Sequence, residues 1–251
     1  MVLTGCVPDW APEDVFSPRR LLSAEPIFMT ERDSLWRITT SLCRQLEVVN
    51  SQLTEALTLR TGPAVPKGRR AAPRVTRMMR AVALDISPGA TIDPEWLEPF
   101  PGFRDFTSAE LQSLLQAMTR LDLAKGRLLF PDGDAGDTCF ILVRGLVDVS
   151  IKVRAQRQLL GQLAPGSIFG EVSLINGEPR TTSCSIRRDA VLAELGREAC
   201  ERLLSSRGAV ALKFLAVLNR GLIAALRSAD RRLMQLNLEG SGKWSGAGVT
   251  P

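Results

Sequence analysis

The sequence predicts an α+β protein, an antiparallel β-roll of jelly-roll type flanked by helices and preceded by an N-terminal helical segment. Three observations predict it. Short apolar segments punctuated by turn residues follow one another from 127 to 195. Within 146–153, Val147, Val149, Ile151 and Val153 alternate with Asp148, Ser150 and Lys152, the period of two of a half-buried antiparallel strand. Two long segments, 34–59 and 209–238, carry leucines at spacings of three and four.

Taken in order, the first helix spans 34–59, with Leu35, Ile38, Leu42, Leu46, Val49 and Leu53 on one face. Shifting this face by 180 residues lands it on Leu215, Leu218, Leu222, Leu226, Ala229 and Leu233, with Asn50 meeting Asp230. Any two amphipathic helices slide into some register. The alternative is that 1–60 is the helical remnant of a first, truncated tandem copy. Segment 61–96 reads as a basic linker, with Lys67, Arg69, Arg70, Arg74, Arg77 and Arg80 among prolines and glycines. A folded domain is expected over 97–238 and a flexible tail over 239–251.

The domain opens with Thr107 and Glu110, a Thr-x-x-Glu capping box ahead of Leu111, Leu114, Leu115 and Met118. Strands are expected at 127–130, 138–144, 146–153, 159–163, 181–187 and 190–195, with turns at 131–133, 145, 161 and 165–166. A short helix at 197–205 then precedes the long one at 209–238.

Composition narrows the function classes. Histidine is absent, which removes Ser-His-Asp and Cys-His catalysis together with histidine-based metal sites. No catalytic residue, metal site or cofactor is expected. The five cysteines are scattered and never in Cys-x-x-Cys spacing, which fits free thiols and a cytoplasmic location. Only five residues precede Cys6, against the apolar core of about 7–15 residues that a signal peptide needs. No apolar run approaches the roughly 18 residues of a membrane span, so none is expected. The net charge of +5 is concentrated in the linker, where no aromatic residue is interleaved for stacking on nucleic acid.

Residues 169–183 read Phe-Gly-Glu-Val-Ser-Leu-Ile-Asn-Gly-Glu-Pro-Arg-Thr-Thr-Ser. Gly170 permits close backbone approach. Glu171 can accept from a hydroxyl, and the helical turn it opens presents N–H groups to an anion. Arg180 offers a forked guanidinium that matches a phosphate, with the Thr181 and Thr182 hydroxyls beside it. The arrangement suits a small anionic ligand carrying hydroxyls. The competing reading is a surface salt bridge between Glu171 and Arg180, which would contribute only ~0–1 kcal/mol.

This stretch resembles the phosphate-binding cassette of the cyclic-nucleotide-binding domain family through Phe169, Gly170, Glu171, Leu174, Ile175, Gly177, Pro179 and Arg180. Two further hallmarks precede it, Gly-Asp-Ala-Gly-Asp-Thr-Cys-Phe-Ile-Leu-Val-Arg-Gly at 133–145 and Leu-Ala-Pro-Gly-Ser-Ile-Phe-Gly at 163–170. The resemblance covers roughly 97–238. It implies a β-roll flanked by helices and a non-catalytic sensor of cAMP or cGMP. In that role Arg180 would pair with the cyclic phosphate and Glu171 would accept from the ribose 2′-hydroxyl. The Gly170, Val172 and Thr182 amides would complete the cradle, with Phe169 also among the ligand-binding residues. A hydroxyl at Thr181 permits cGMP without demanding it, since it can accept from the guanine 2-amino group. The base contact is expected from Asn219 or Arg220 on the long helix, with Phe214 in the core. The signal is expected to pass through helix 209–238 to a protein partner or a second copy of the chain. No sequence-specific DNA binding is expected, because a 13-residue tail cannot hold a helix-turn-helix. The alternative function is a scaffold or interaction domain that keeps the fold without binding nucleotide.

Overall fold

The computed structural model describes residues 31–60, 91–154, 156–206 and 208–241. Cys6, the basic cluster of 67–80 and tail residues 242–251 lie outside them. Helix α1 spans Glu31–Arg60, followed after residue 90 by a 3-10 turn at Pro94–Trp96. Helix α2 is Ser108–Gln116, and strands β1 (Thr119–Leu123) and β2 (Leu128–Phe130) come next. Then follow β3 (Thr138–Val153), β4 (Gln156–Leu163), β5 (Ile168–Phe169), α3 (Glu171–Asn176), β6 (Ser183–Gly196), α4 (Arg197–Ser205) and α5 (Ala209–Ser241).

The sheet is antiparallel, ordered β1-β6-β3-β4, with β2 added to β6 and β5 to β3. This is the predicted roll with its flanking helices and N-terminal helix. The two central strands are longer than the sequence pattern suggests. Segments 138–144 and 146–153 form one strand, β3, bent at Gly145, where its register against β6 shifts. Gly145 has φ 102°, and a Cβ there would lie 2.5 Å from the Asp189 carbonyl oxygen. A glycine bulge thus bends the strand without ending it, and β6 runs on opposite it. Strand β1 has no counterpart in the predicted elements. Its Leu121 and Leu123 are buried, while Arg120 and Asp122 pair with each other at 2.8 Å.

Strand β3 is apolar without alternation from Cys139 to Val143 because both its faces are covered. Ile141 and Val143 pack toward the helices, with Phe103, Leu111, Phe214 and Leu218. Phe140 and Leu142 point into the roll, with Phe130, Val147, Ile186 and Leu192. Helix α2 starts on the expected capping box, Thr107 accepting from the Glu110 amide and Glu110 accepting from the Thr107 amide. The folded unit extends upstream of 97, since Ile92 is buried in the helix-side core and Asp93 caps the 3-10 turn.

Helix α1 is amphipathic for a tertiary reason. Its buried positions are Trp36, Thr39, Cys43, Leu46, Asn50, Leu53 and Leu57, alternately three and four apart. This seam packs along α5. The Asn219 amide donates to the Leu35 carbonyl at 3.3 Å, and Arg60 donates to the Leu236 carbonyl at 2.9 Å. Early α1 therefore meets early α5 and late meets late, so the helices run parallel. The separations of these pairs, 184 and 176 residues, bracket the 180-residue shift that relates the two sequences.

The apolar face of α5, expected to serve a partner or a second copy, is covered largely by α1 of the same chain. Helix α5 is also long and apolar enough to cross a membrane by length and composition, which corrects the expectation that no such run exists. Its Phe214, Leu215, Leu218 and Leu222 are buried against the rest of the protein.

Leu53 is 1% exposed and joins α1 to Ile151 and Val153 of β3 and to Leu236 of α5. Leu53→Ala should lower stability by about 2–5 kcal/mol in a single denaturation transition. An unchanged midpoint in urea would show that α1 is an appendage and not part of the cooperative unit.

Candidate functional site

The cassette is placed by local backbone requirements. Glycines at both ends of α3, Gly170 and Gly177, have φ of 80° and 75°, a conformation glycine adopts without steric cost. The loop before β3 then clasps the arginine backbone. The Arg180 amide donates to the Asp134 carbonyl at 2.8 Å, and the Gly133 amide donates to the Arg180 carbonyl at 2.7 Å.

Arg180 is only 6% exposed. Its Nη1 donates to the carbonyls of Thr138 (2.8 Å) and Gly170 (2.6 Å), and its Nη2 to the Thr138 hydroxyl (2.8 Å). Its Cζ lies 4.3 Å from the Phe130 ring centroid, a cation–π distance. Close packing demands small neighbours. A Cβ on Gly136 would come within 2.5 Å of Arg180 Nε, and one on Gly170 within 2.8 Å of Nη1. Among the described residues no carboxylate forms an ion pair with Arg180, and its buried Nε has no hydrogen-bond partner. Burial pulls its pKa down.

Glu171 is 5% exposed, and burial pushes its carboxyl up to about 7 against the opposing pull of its own amide and of Arg180. The surface salt bridge between Glu171 and Arg180 is therefore not what the structure contains. Both groups are buried and neither neutralises the other at ion-pair distance.

These residues line one cavity of about 210 Å³. Phe169, Gly170, Glu171, Val172, Arg180, Thr181 and Thr182 all face it, as does Phe130. The opposite wall is helical and differs from the expected one. Asn219 and Arg220 do not reach the cavity. Asn219 is buried against Leu35, and Arg220 is exposed and bonded to Asp105 and the Gly102 carbonyl. The α5 residues that line it, Ala225, Ser228, Ala229 and Arg232, lie one to three turns further on. Helix α1 adds Leu46, Asn50 and Leu53, which sequence reasoning did not assign to the site. The only signal was a lone asparagine on an apolar seam. Two hydrogen bonds tie α1 to the cassette region, Asn50 Nδ2 to Thr181 Oγ1 at 3.3 Å and Asn176 Nδ2 to Glu47 Oε1 at 2.9 Å.

Cys43, Cys139, Cys184 and Cys200 are free and buried, and burial pushes Cys184 and Cys200 up to about 12. Among the described residues no group of three or more Cys, Asp or Glu is arranged to hold a metal ion.

Comparison with known proteins agrees with the class that this fold and site define. Residues 120–207 match the family model of the cyclic nucleotide-binding domain. Over 121 residues the chain is 26% identical to the CRP-like cAMP-activated global transcriptional regulator of Mycobacterium tuberculosis, covering 48% of this chain and 54% of that one. Over 140 residues it is 30% identical to the cyclic AMP receptor protein of Thermus thermophilus, covering 55% and 63%. The chain thus spans between half and two thirds of the length of these two curated relatives. A solved cyclic nucleotide-binding domain from Methylobacillus flagellatus superposes with a TM-score of 0.51 at 28% identity, covering 57% of this chain and 81% of that one. Residues 120–207 are thus similar to a cyclic nucleotide-binding domain, and α1 lies outside the matched segment.

The raised Glu171 pKa has a consequence for stability. A carboxyl whose folded value exceeds its unfolded value opposes folding once ionised. The penalty is absent below the unfolded value of 4.5, grows as pH rises, and is complete above about 7. The shift corresponds to roughly 3 kcal/mol. Glu171→Gln should match the native protein in urea denaturation near pH 4.5 and exceed it by that order near pH 8. A difference that does not vary with pH would contradict the assigned burial.

Proposed function

We propose that the chain is a non-catalytic cyclic-nucleotide sensor, taking cAMP or cGMP into the cavity between the cassette and the α1–α5 pair. One observation carries this reading. Arg180 is a buried cation with no carboxylate at ion-pair distance among the described residues and an unbonded Nε, on the floor of a cavity shared with a buried acid. Leaving a buried charge uncompensated costs several kcal/mol, and an anionic ligand would supply the missing compensation. Glu171 and the threonine hydroxyls suit the hydroxyl-bearing remainder of such a ligand. The relatives' names mention cAMP activation and cAMP reception, which supports the ligand class. They are matched over only part of their length, so their regulation of transcription is not carried over. The signal would leave through α5, and the free thiols fit a cytoplasmic setting.

A second reading, an interaction domain that no longer binds nucleotide, has its own observation. The cavity of about 210 Å³ is below the ~300–1,000 Å³ usual for small-molecule sites, with α1 forming part of its wall. In the sensor reading the helical wall moves outward to admit the ligand.

Calorimetric titration with cAMP and cGMP separates the two. Binding of either nucleotide to the native chain, reduced a hundredfold or more in a folded Arg180→Ala variant, is the expected result, since removing one partner of a buried charge pair costs about 3–5 kcal/mol. No heat with either nucleotide would favour the interaction domain. Equal affinity in native and variant protein would show that Arg180 does not hold the phosphate.

A further inference from the structure

Asn50 occupies a position where a helix seam calls for an apolar side chain. It is 6% exposed and lies between Leu46 and Leu53 on the face that packs along α5. A lone asparagine on such a seam ordinarily sets the register of a helix pair by bonding across to the other helix, at a cost in stability. Here it makes no bond to α5. Its one side-chain hydrogen bond runs from Nδ2 to Thr181 Oγ1, at 3.3 Å, and its Oδ1 accepts from no described residue. The side chain faces the cavity, so this oxygen is left to accept from whatever occupies it.

We propose that Asn50 is a base-reading, specificity-determining residue of the nucleotide site, supplied by a helix outside the domain's matched segment. The inference rests on the cyclic-nucleotide reading above. A ligand anchored by its phosphate on Arg180 lies next to Thr181, and from there the cavity extends to the helical wall. The polar groups on that wall are Asn50, Ser228 and Arg232, and Asn50 is the buried one. A carboxamide presents a donor beside an acceptor, the pattern that pairs with purine edges. Adenine and guanine order their donors and acceptors differently. One carboxamide held by Thr181 cannot serve both equally, so it discriminates between them. The contact also ties the base to α1, and through α1 to α5.

The test titrates cAMP and cGMP into native protein, Asn50→Ala, Thr181→Ala and the double variant. Asn50→Leu serves as a second variant that keeps the seam filled. Loss of one hydrogen bond predicts a change in the cAMP/cGMP affinity ratio of about 2- to 13-fold for Asn50→Ala and Asn50→Leu. The double variant should shift the ratio by less than the two single shifts combined, because the side chains act as one unit. Affinities that stay unchanged, or that move by one common factor for both nucleotides, would assign Asn50 to helix packing and overturn the proposal. Native protein that binds neither nucleotide would overturn the sensor reading itself and this inference with it. Binding to the native chain with an unmoved ratio removes the inference alone.

Discussion

The site is organised around a buried positive charge that has no opposite charge at ion-pair distance among the described residues. Arg180 is held by two carbonyls, a hydroxyl and an aromatic face. All are neutral partners that orient the guanidinium without cancelling its charge. Other features follow from keeping it there. Gly136 and Gly170 are glycines because a Cβ would collide with the guanidinium. The loop before β3 bonds the Arg180 backbone at both its amide and its carbonyl. Glu171 is kept from the arginine and raised toward neutrality by its own burial. A scaffold selected for stability alone would do better with an apolar side chain at 180.

The second constraint is the parallel pairing of α1 and α5. It closes the cavity opposite the arginine, and it makes a helix outside the matched domain part of the site. Because α1 bonds to Thr181 through Asn50 and to Asn176 through Glu47, movement of the cassette is felt by the helix pair. A ligand shifts such a pair only by interacting differently with its two positions. A cavity that must enlarge to admit the ligand supplies such a difference.

The legible parts of the sequence were those with local causes. The Thr107–Glu110 capping box and the glycine-flanked turn at 171–176 depend on near neighbours, and each appears in the structure. The alternation expected over 146–153, by contrast, is interrupted where the register against β4 shifts between Val149 and Ser150 and Ser150 is buried. The seven cassette residues meet at one cavity because they are contiguous or nearly so. What escaped depends on distant parts of the chain. Gly145 reads as a turn in isolation, yet it bends a strand whose pairing with β6 continues past it. The base wall was assigned to Asn219 and Arg220, but the phase and reach of a long helix are set by what it packs on. Leu35 and Asp105 claim those two side chains, leaving the cavity to residues nearer the end of α5. The role of Asn50 needed 131 residues of chain to be folded back upon it.

In the proposed mechanism, nucleotide held on Arg180 is communicated to the helix pair. Amide hydrogen exchange with and without cyclic nucleotide tests it most directly. Altered protection is expected in 170–182 together with 209–238 and 31–60, three of the segments that line the cavity. A response confined to 170–182 would mean that the cassette binds its ligand without passing anything to the helices, and would contradict the account.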